Sequence, residues 1–164
     1  MLKFIGHAGF MYSTNNEILL MDPWMSKNGA FDSSWYQFPS NHSLGDEIRQ
    51  EIDSTLKEVY IYISHEHKDH FDVDYLKTLN LSKINFITPK FRRDHVASVL
   101  DKLNPKSVTT PIDSEVLKIG EMEIRLFLDD QEIVRDSAIG LIDFENDFTF
   151  LNLNDCKVYD RVDS

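Results

Sequence analysis

The 164-residue chain has one cysteine, Cys156, which excludes an internal disulfide framework and any zinc or iron–sulfur centre built from several thiolates. A reducing compartment is the expectation. Long apolar runs are also missing: none approaches the roughly 20 residues that span a bilayer, and Met1-Leu2-Lys3-Phe4-Ile5-Gly6-His7 lacks the apolar stretch of a secretory leader. We expect a cytoplasmic protein with no membrane partner. Basic charge is scarce, with 17 Lys and Arg against 28 Asp and Glu for a net charge of −11. That field opposes nucleic acid as a main partner and does not disfavour metal cations. What remains is 41% apolar and 12% aromatic, enough for one folded domain over residues 1–164 with a sizeable core. No repeat or low-complexity tract interrupts it.

The first third reads as short β-rich runs, Leu2 to Ile5, Phe10 to Ser13 and Ile18 to Met21, turned at Asn15-Asn16 and stopped by Asp22-Pro23. Trp24 to His42 has neither helical nor strand period and is expected to be a long loop. Leu44, Ile48, Ile52 and Leu56 share one helical face, predicting a helix over 44–56. Val59 to Ile63 predicts a buried strand ending at Ser64. Asp72 can cap a helix over 73–79, followed by a strand over 84–88 and a helix over 91–103. Beyond Pro105 the chain turns to strands at 107–109, 115–119, 122–128, 138–144 and 148–153, with Glu145-Asn146-Asp147 as a hairpin turn. The expected class is α+β, a sandwich of sheets with helices outside.

The chemistry concentrates in His65-Glu66-His67-Lys68-Asp69-His70, directly after the predicted strand. Imidazole and carboxylate are the usual ligands of zinc, iron and manganese, and few structural roles need three histidines and an aspartate in six positions. On an irregular loop His65 and His67 can converge on one ion while Asp69 and His70 turn toward a second. His42 and Asp94-His95 lack such neighbours and are expected at the surface. Cys156 is read first as a small buried hydrophobe rather than a ligand.

This hexapeptide resembles the H-x-H-x-D-H signature of the metallo-β-lactamase superfamily, and the match is complete. The resemblance implies an αββα sandwich, incomplete at the C-terminus in this chain. Asp22, in Leu20-Met21-Asp22-Pro23-Trp24, resembles the aspartate that supports the metal loop through hydrogen bonds. Asp155 resembles the aspartate that bridges the two metals. Gly6-His7-Ala8-Gly9-Phe10 is similar to an element of the ascorbate-6-phosphate lactonase-like and CMP-N-acetylneuraminate hydroxylase-like branches, although a lone histidine at such a place is more often a structural hydrogen-bond donor. The implied metal ligands are therefore His65, His67, Asp69, His70 and Asp155, with Asp69 also catalytic. Two family histidines have no counterpart: one expected before the bridging aspartate, for which Asp129, Asp130 or Asp136 could substitute, and one well beyond it.

The implied function is metal-dependent hydrolysis of an ester, lactone or phosphodiester-type small molecule, with one or two zinc ions, or iron or manganese, acidifying a water. Trp24 to His42 is the expected pocket wall. The alternatives are an iron-dependent oxidoreductase component fed by an external electron donor, since one cysteine cannot make a Rieske centre, and a non-catalytic metal-binding module. An uncovered edge and apolar surface are expected on the last sheet, inviting a homo-oligomer or a missing C-terminal partner segment.

Overall fold

The computed structural model describes residues 1–130 and 135–156. Strands β1 (Leu2–Gly6), β2 (Gly9–Ser13) and β3 (Glu17–Met21) form an antiparallel meander. After β3 the chain makes three crossovers. Helix α1 (His42–Ser54) leads to β4 (Glu58–Tyr62), α2 (Val73–Leu76) to β5 (Ile84–Ile87), and α3 (His95–Lys102) to β6 (Ser107–Thr109). Each new strand pairs in parallel with the one before, giving a six-stranded sheet in the order β1-β2-β3-β4-β5-β6. Strands β7 (Val116–Ile119), β8 (Met122–Asp130), β9 (Arg135–Asp143) and β10 (Phe148–Asn152) make a second, antiparallel sheet in the order β10-β9-β8-β7.

The period of two along each strand sorts the apolar side chains into two cores. Ile18, Leu20, Val59, Ile61, Ile84 and Phe86 face Ile48, Ile52, Leu76, Val96 and Leu100 of the helices. On the other face Leu19, Met21, Tyr62 and Ile87 meet Ile119, Met122, Ile124, Leu126, Ile139 and Leu141 of the second sheet. Strand β3 is buried at all five positions because it lies between helices and the other sheet. The layers are thus helix, sheet, sheet. Among the described residues no helix lies over the outer face of the second sheet, where Phe127, Ile142 and Leu151 stay exposed. None is long and apolar enough to cross a membrane.

All three helices differ from expectation in their bounds. Helix α1 stops at Ser54 because Thr55 turns extended (ψ 149°) toward β4, so Leu56 lies off its face and is fully exposed. Helix α2 is one turn, capped as expected by Asp72, whose side chain accepts from the Tyr75 N–H. Helix α3 starts at His95 behind Asp94, leaving Phe91 to Arg93 outside it. His95 is exposed as expected, but His42 is half-buried with a ring nitrogen 3.1 Å from the Met25 carbonyl oxygen.

Candidate metal centre

Parallel strands deliver their C-terminal ends to one edge of a sheet, and open sheets of this kind bind ligands there. Here Asp22 directly follows β3, and the segment after β4 passes through Ser64 into His65 to His70. Asp22 sits with φ 42°, a left-handed conformation that aspartate tolerates better than most residues. Its buried carboxylate accepts from the Ser64 N–H (2.8 Å), the Ser64 hydroxyl (2.5 Å) and His70 Nδ1 (2.8 Å). Asp22 therefore organises the loop from behind, the role the sequence resemblance implied. Within the loop, the His70 and Phe71 N–H groups both donate to the His67 carbonyl oxygen, a turn that sends Asp69 and His70 inward.

The same logic fixes His65. Its Nδ1 is 2.9 Å from Ser64 Oγ and 3.1 Å from Asp136 Oδ1, the latter arriving from β9. Ser64 has already given its proton to Asp22, so both neighbours are acceptors and Nδ1 carries the hydrogen. In both His65 and His70 the Nε2 atom then faces the site, the arrangement that outer carboxylates impose on metal-binding histidines.

Two groups of three result, the ligand atoms of each within 4.8 Å of one another. One is His65, His67 and Asp155, with His65 Nε2 only 2.7 Å from His67 Nδ1. The other is His7, Asp69 and His70, with His7 Nε2 at 3.1 Å from Asp69 Oδ2 and 3.2 Å from His70 Nε2. Asp155 lies between them, one oxygen 3.9 Å from His65 Nε2 and the other 3.6 Å from His70 Nε2. It is held there from its neighbour: Asn154, at φ 51°, donates through its side chain to the Ser137 carbonyl oxygen (2.7 Å) and the Tyr62 hydroxyl (3.2 Å). The structure thus brings together all five sequence-named residues, His65, His67, Asp69, His70 and Asp155.

His7 enters from the β1–β2 turn. Gly6 (φ 121°) and His7 (φ 49°) form it, and a Cβ on Gly6 would fall 2.1 Å from Gln37 Oε1. Sequence reasoning weighed His7 and left it out of the ligand set; its clue was its place between two glycines. Asp136, considered as a substitute ligand, instead backs His65 from the far side. The side chain of Asp130 lies outside the described residues.

The electrostatics are those of a cation site. Burial pulls the His70 pKa down, but its hydrogen bond to Asp22 and the charges of Asp22, Asp155 and Asp69 outweigh it and bring it to about 9. Burial raises Asp69, yet the His7 hydrogen bond and the charge of His70 hold it below the usual carboxylate range. Asp69 Oδ1 is buried without a hydrogen-bond partner, an orphan that a bound ion or its water would satisfy. Nitrogen and carboxylate donors in this number suit zinc, iron and manganese, so the residues present fit such ions. Burial, then Asp136 and Asp129, push the Cys156 thiol up to about 12, leaving it neutral near pH 7.

The chain matches the beta-lactamase superfamily domain over residues 1–151, and it belongs to the metallo-β-lactamase superfamily. A protein of Mycobacterium tuberculosis (strain ATCC 25618 / H37Rv), provisionally named a Rieske 2Fe-2S iron-sulfur protein, is 30% identical over 163 residues, covering 95% of this chain and 30% of that protein. The chain therefore spans under a third of the length of that relative. Among solved structures, the diiron β-hydroxylase CmlA from Streptomyces venezuelae superposes with a TM-score of 0.65 at 18% identity, over 94% of this chain and 29% of that one. A protein of Veillonella parvula DSM 2008, described as a possible metal-dependent hydrolase, gives 0.68 at 13% identity, over 98% and 64%. At these identities the structural likeness establishes the fold.

Proposed function

We propose that this chain forms a two-ion hydrolytic centre acting on ester, lactone or phosphodiester-type small molecules. The observation that carries the reading is the pair of three-ligand groups joined by Asp155, each backed by a buried carboxylate. His65, His67 and Asp155 would hold one ion, and His7, Asp69 and His70 the other, with Asp155 shared. Such ions, zinc or alternatively iron or manganese, supply Lewis acidity toward a substrate oxygen and acidify a water at neutral pH.

The chain's own residues do the positioning. Asp69 Oδ1, buried and unpartnered, would orient the attacking water and accept its proton. Asp22 and Asp136 keep the imidazole nitrogens facing inward. Counting His7, the expected complement is close to two ions per chain, the upper end of the one or two expected from the sequence. Elemental analysis of protein purified without affinity tags tests this, together with chelator-sensitive turnover of ester, lactone and phosphodiester substrates. Fewer than a tenth of an ion per chain after reconstitution would end the metal reading.

A second reading has its own support: the M. tuberculosis relative carries an iron–sulfur name and CmlA is a diiron hydroxylase. In that case the same ligands would hold iron, and electrons would come from a partner or from a segment outside these 164 residues, because one cysteine among them cannot ligate a Rieske cluster. Iron-loaded protein that is reduced and reoxidised by dioxygen, yet inert toward all three ester classes, would favour it.

A further inference from the structure

The loop between Trp24 and Asn41 places exposed aromatic rings against both ligand groups. Phe31 and Trp35 stack on each other, centroids 5.9 Å apart and planes 19° from parallel. Phe31 meets the His67 ring edge-on at 6.2 Å, and Trp35 meets His7 at 5.6 Å. Trp24, buried, braces both His7 and Trp35 from behind at 5.5 and 6.1 Å. Phe31 and Trp35 nevertheless remain 40% and 47% exposed.

The backbone beneath them is strained and held. Phe31, Asp32 and Ser33 all have left-handed φ values, 50°, 55° and 64°, a run that ordinary residues avoid and that persists only where its surroundings enforce it. The enforcement is local. Ala30 and Trp35 exchange N–H to carbonyl hydrogen bonds of 2.8 and 3.2 Å, the Ser33 hydroxyl donates to the Asn28 carbonyl oxygen at 2.9 Å, and the Ser34 hydroxyl donates to that of Phe31 at 2.7 Å. Gly29, at φ 68°, allows the closure: a Cβ there would lie 2.6 Å from the Trp35 carbonyl oxygen. Strain spent on keeping two rings in solvent beside a polar centre points to a ligand that covers them.

The rim chemistry narrows that ligand. Among the described residues, Lys68 is paired with Asp32 at 3.2 Å and Arg135 with Glu66 at 3.1 Å, so each basic side chain described beside the ligand loop already faces a carboxylate that a phosphate would have to displace. Stacked aromatic faces instead favour a flat apolar ring. We propose that Phe31 and Trp35 form a platform for an uncharged ring of the substrate, which, resting on the hydrolytic reading above, makes the substrate class a ring-bearing ester or lactone rather than a phosphodiester.

The test uses binding rather than turnover. The full 164-residue chain, treated with chelator, is titrated into 2-naphthol and separately into 2-naphthyl phosphate, followed by naphthalene fluorescence anisotropy. Wild type is expected to bind 2-naphthol at least as tightly as its phosphate. Trp35→Ala should weaken 2-naphthol about tenfold and Trp35→Phe no more than about threefold, because the platform needs a ring and not an indole. Gly29→Ala, which displaces Trp35, should weaken it as Trp35→Ala does. Phe31→Asn suits the left-handed backbone better than phenylalanine, so it should weaken binding while leaving the unfolding temperature unchanged or higher. No binding of 2-naphthol by wild type, unchanged binding by Trp35→Ala, or a phosphate ester bound more than tenfold tighter would each overturn the proposal. Since no metal or catalysis enters, its failure stays separate from failure of the hydrolytic reading, which metal content and turnover decide.

Discussion

Replacing Asp22 by Asn should weaken one ion site more than the other. Asn is nearly isosteric and accepts the φ of 42°, and its side-chain oxygen can still receive the Ser64 N–H. What changes is the atom 2.8 Å from His70 Nδ1, where an acceptor becomes an NH2 donor. The imidazole then shifts its hydrogen to Nε2, the nitrogen that faces His7 and Asp69, and the lone pair needed there is lost. Loss of an outer carboxylate typically costs 10- to 100-fold in metal affinity, about 1.4 to 2.7 kcal/mol. His65 Nδ1 keeps its acceptor on Asp136 while the Ser64 hydroxyl loses the one it had on Asp22, so the group of His65, His67 and Asp155 should weaken less than the other. Calorimetric titration of zinc into chelator-stripped wild type should give two binding events. In the Asp22→Asn protein one of them should weaken by that factor, and Asp136→Asn should weaken the other. If Asp22→Asn folds by circular dichroism and both events stay within twofold of wild type, the argument from ring tautomers is wrong.

His67→Ala should sharply lower metal content while His42→Ala does not, since only His67 belongs to a ligand group; equal contents by elemental analysis would remove the basis for the assignment. The raised His70 pKa of about 9 means that metal binding below that pH displaces a proton. Apparent affinity should therefore climb about tenfold per unit from pH 7 to 9, with proton release seen as a buffer-dependent binding heat, and a flat profile would refute it. In the metal-free protein the sign reverses: the protonated His70–Asp22 pair contributes stability fully below the ordinary histidine pKa, and this is lost as pH rises through about 9. Asp143→Ala should be destabilising, because that buried carboxylate accepts from the Tyr12 hydroxyl (2.7 Å) and from the Asn146 backbone and side chain (3.0 and 2.9 Å). A cost of about 2 to 4 kcal/mol should lower the melting temperature by roughly 5 to 15 °C. Burial raises the Asp143 pKa, but the Asn146 and Tyr12 hydrogen bonds outweigh it and hold it low. Its contribution should thus be present at neutral pH and fade in acid; a melting curve unmoved by the substitution would contradict this.

The sequence alone determined the parts whose information is local. Short β-branched and aromatic runs bounded by turn signals placed the strands within a residue or two, apart from an early start to β9, because both signals are local to each segment. Four ligand-type residues in six positions exposed the loop His65 to His70 without any knowledge of the fold. Helix ends were less legible: Leu56 fits the face of α1 by spacing, yet the chain must turn extended there to enter β4. What only the tertiary structure decided is which distant residues complete the loop. His7 lies 63 residues from His70 and meets it because the β1–β2 turn closes beside the end of β4. Asp136 resembles a substitute ligand in sequence order but faces His65 Nδ1, since β9 approaches from behind the ligand loop. Asp155 spans both groups only through Asn154, anchored on Tyr62 and Ser137 across the two sheets. A residue's ligand chemistry is written in its side chain, whereas its partners are set by the stacking and register of sheets, which bring together groups far apart in the chain.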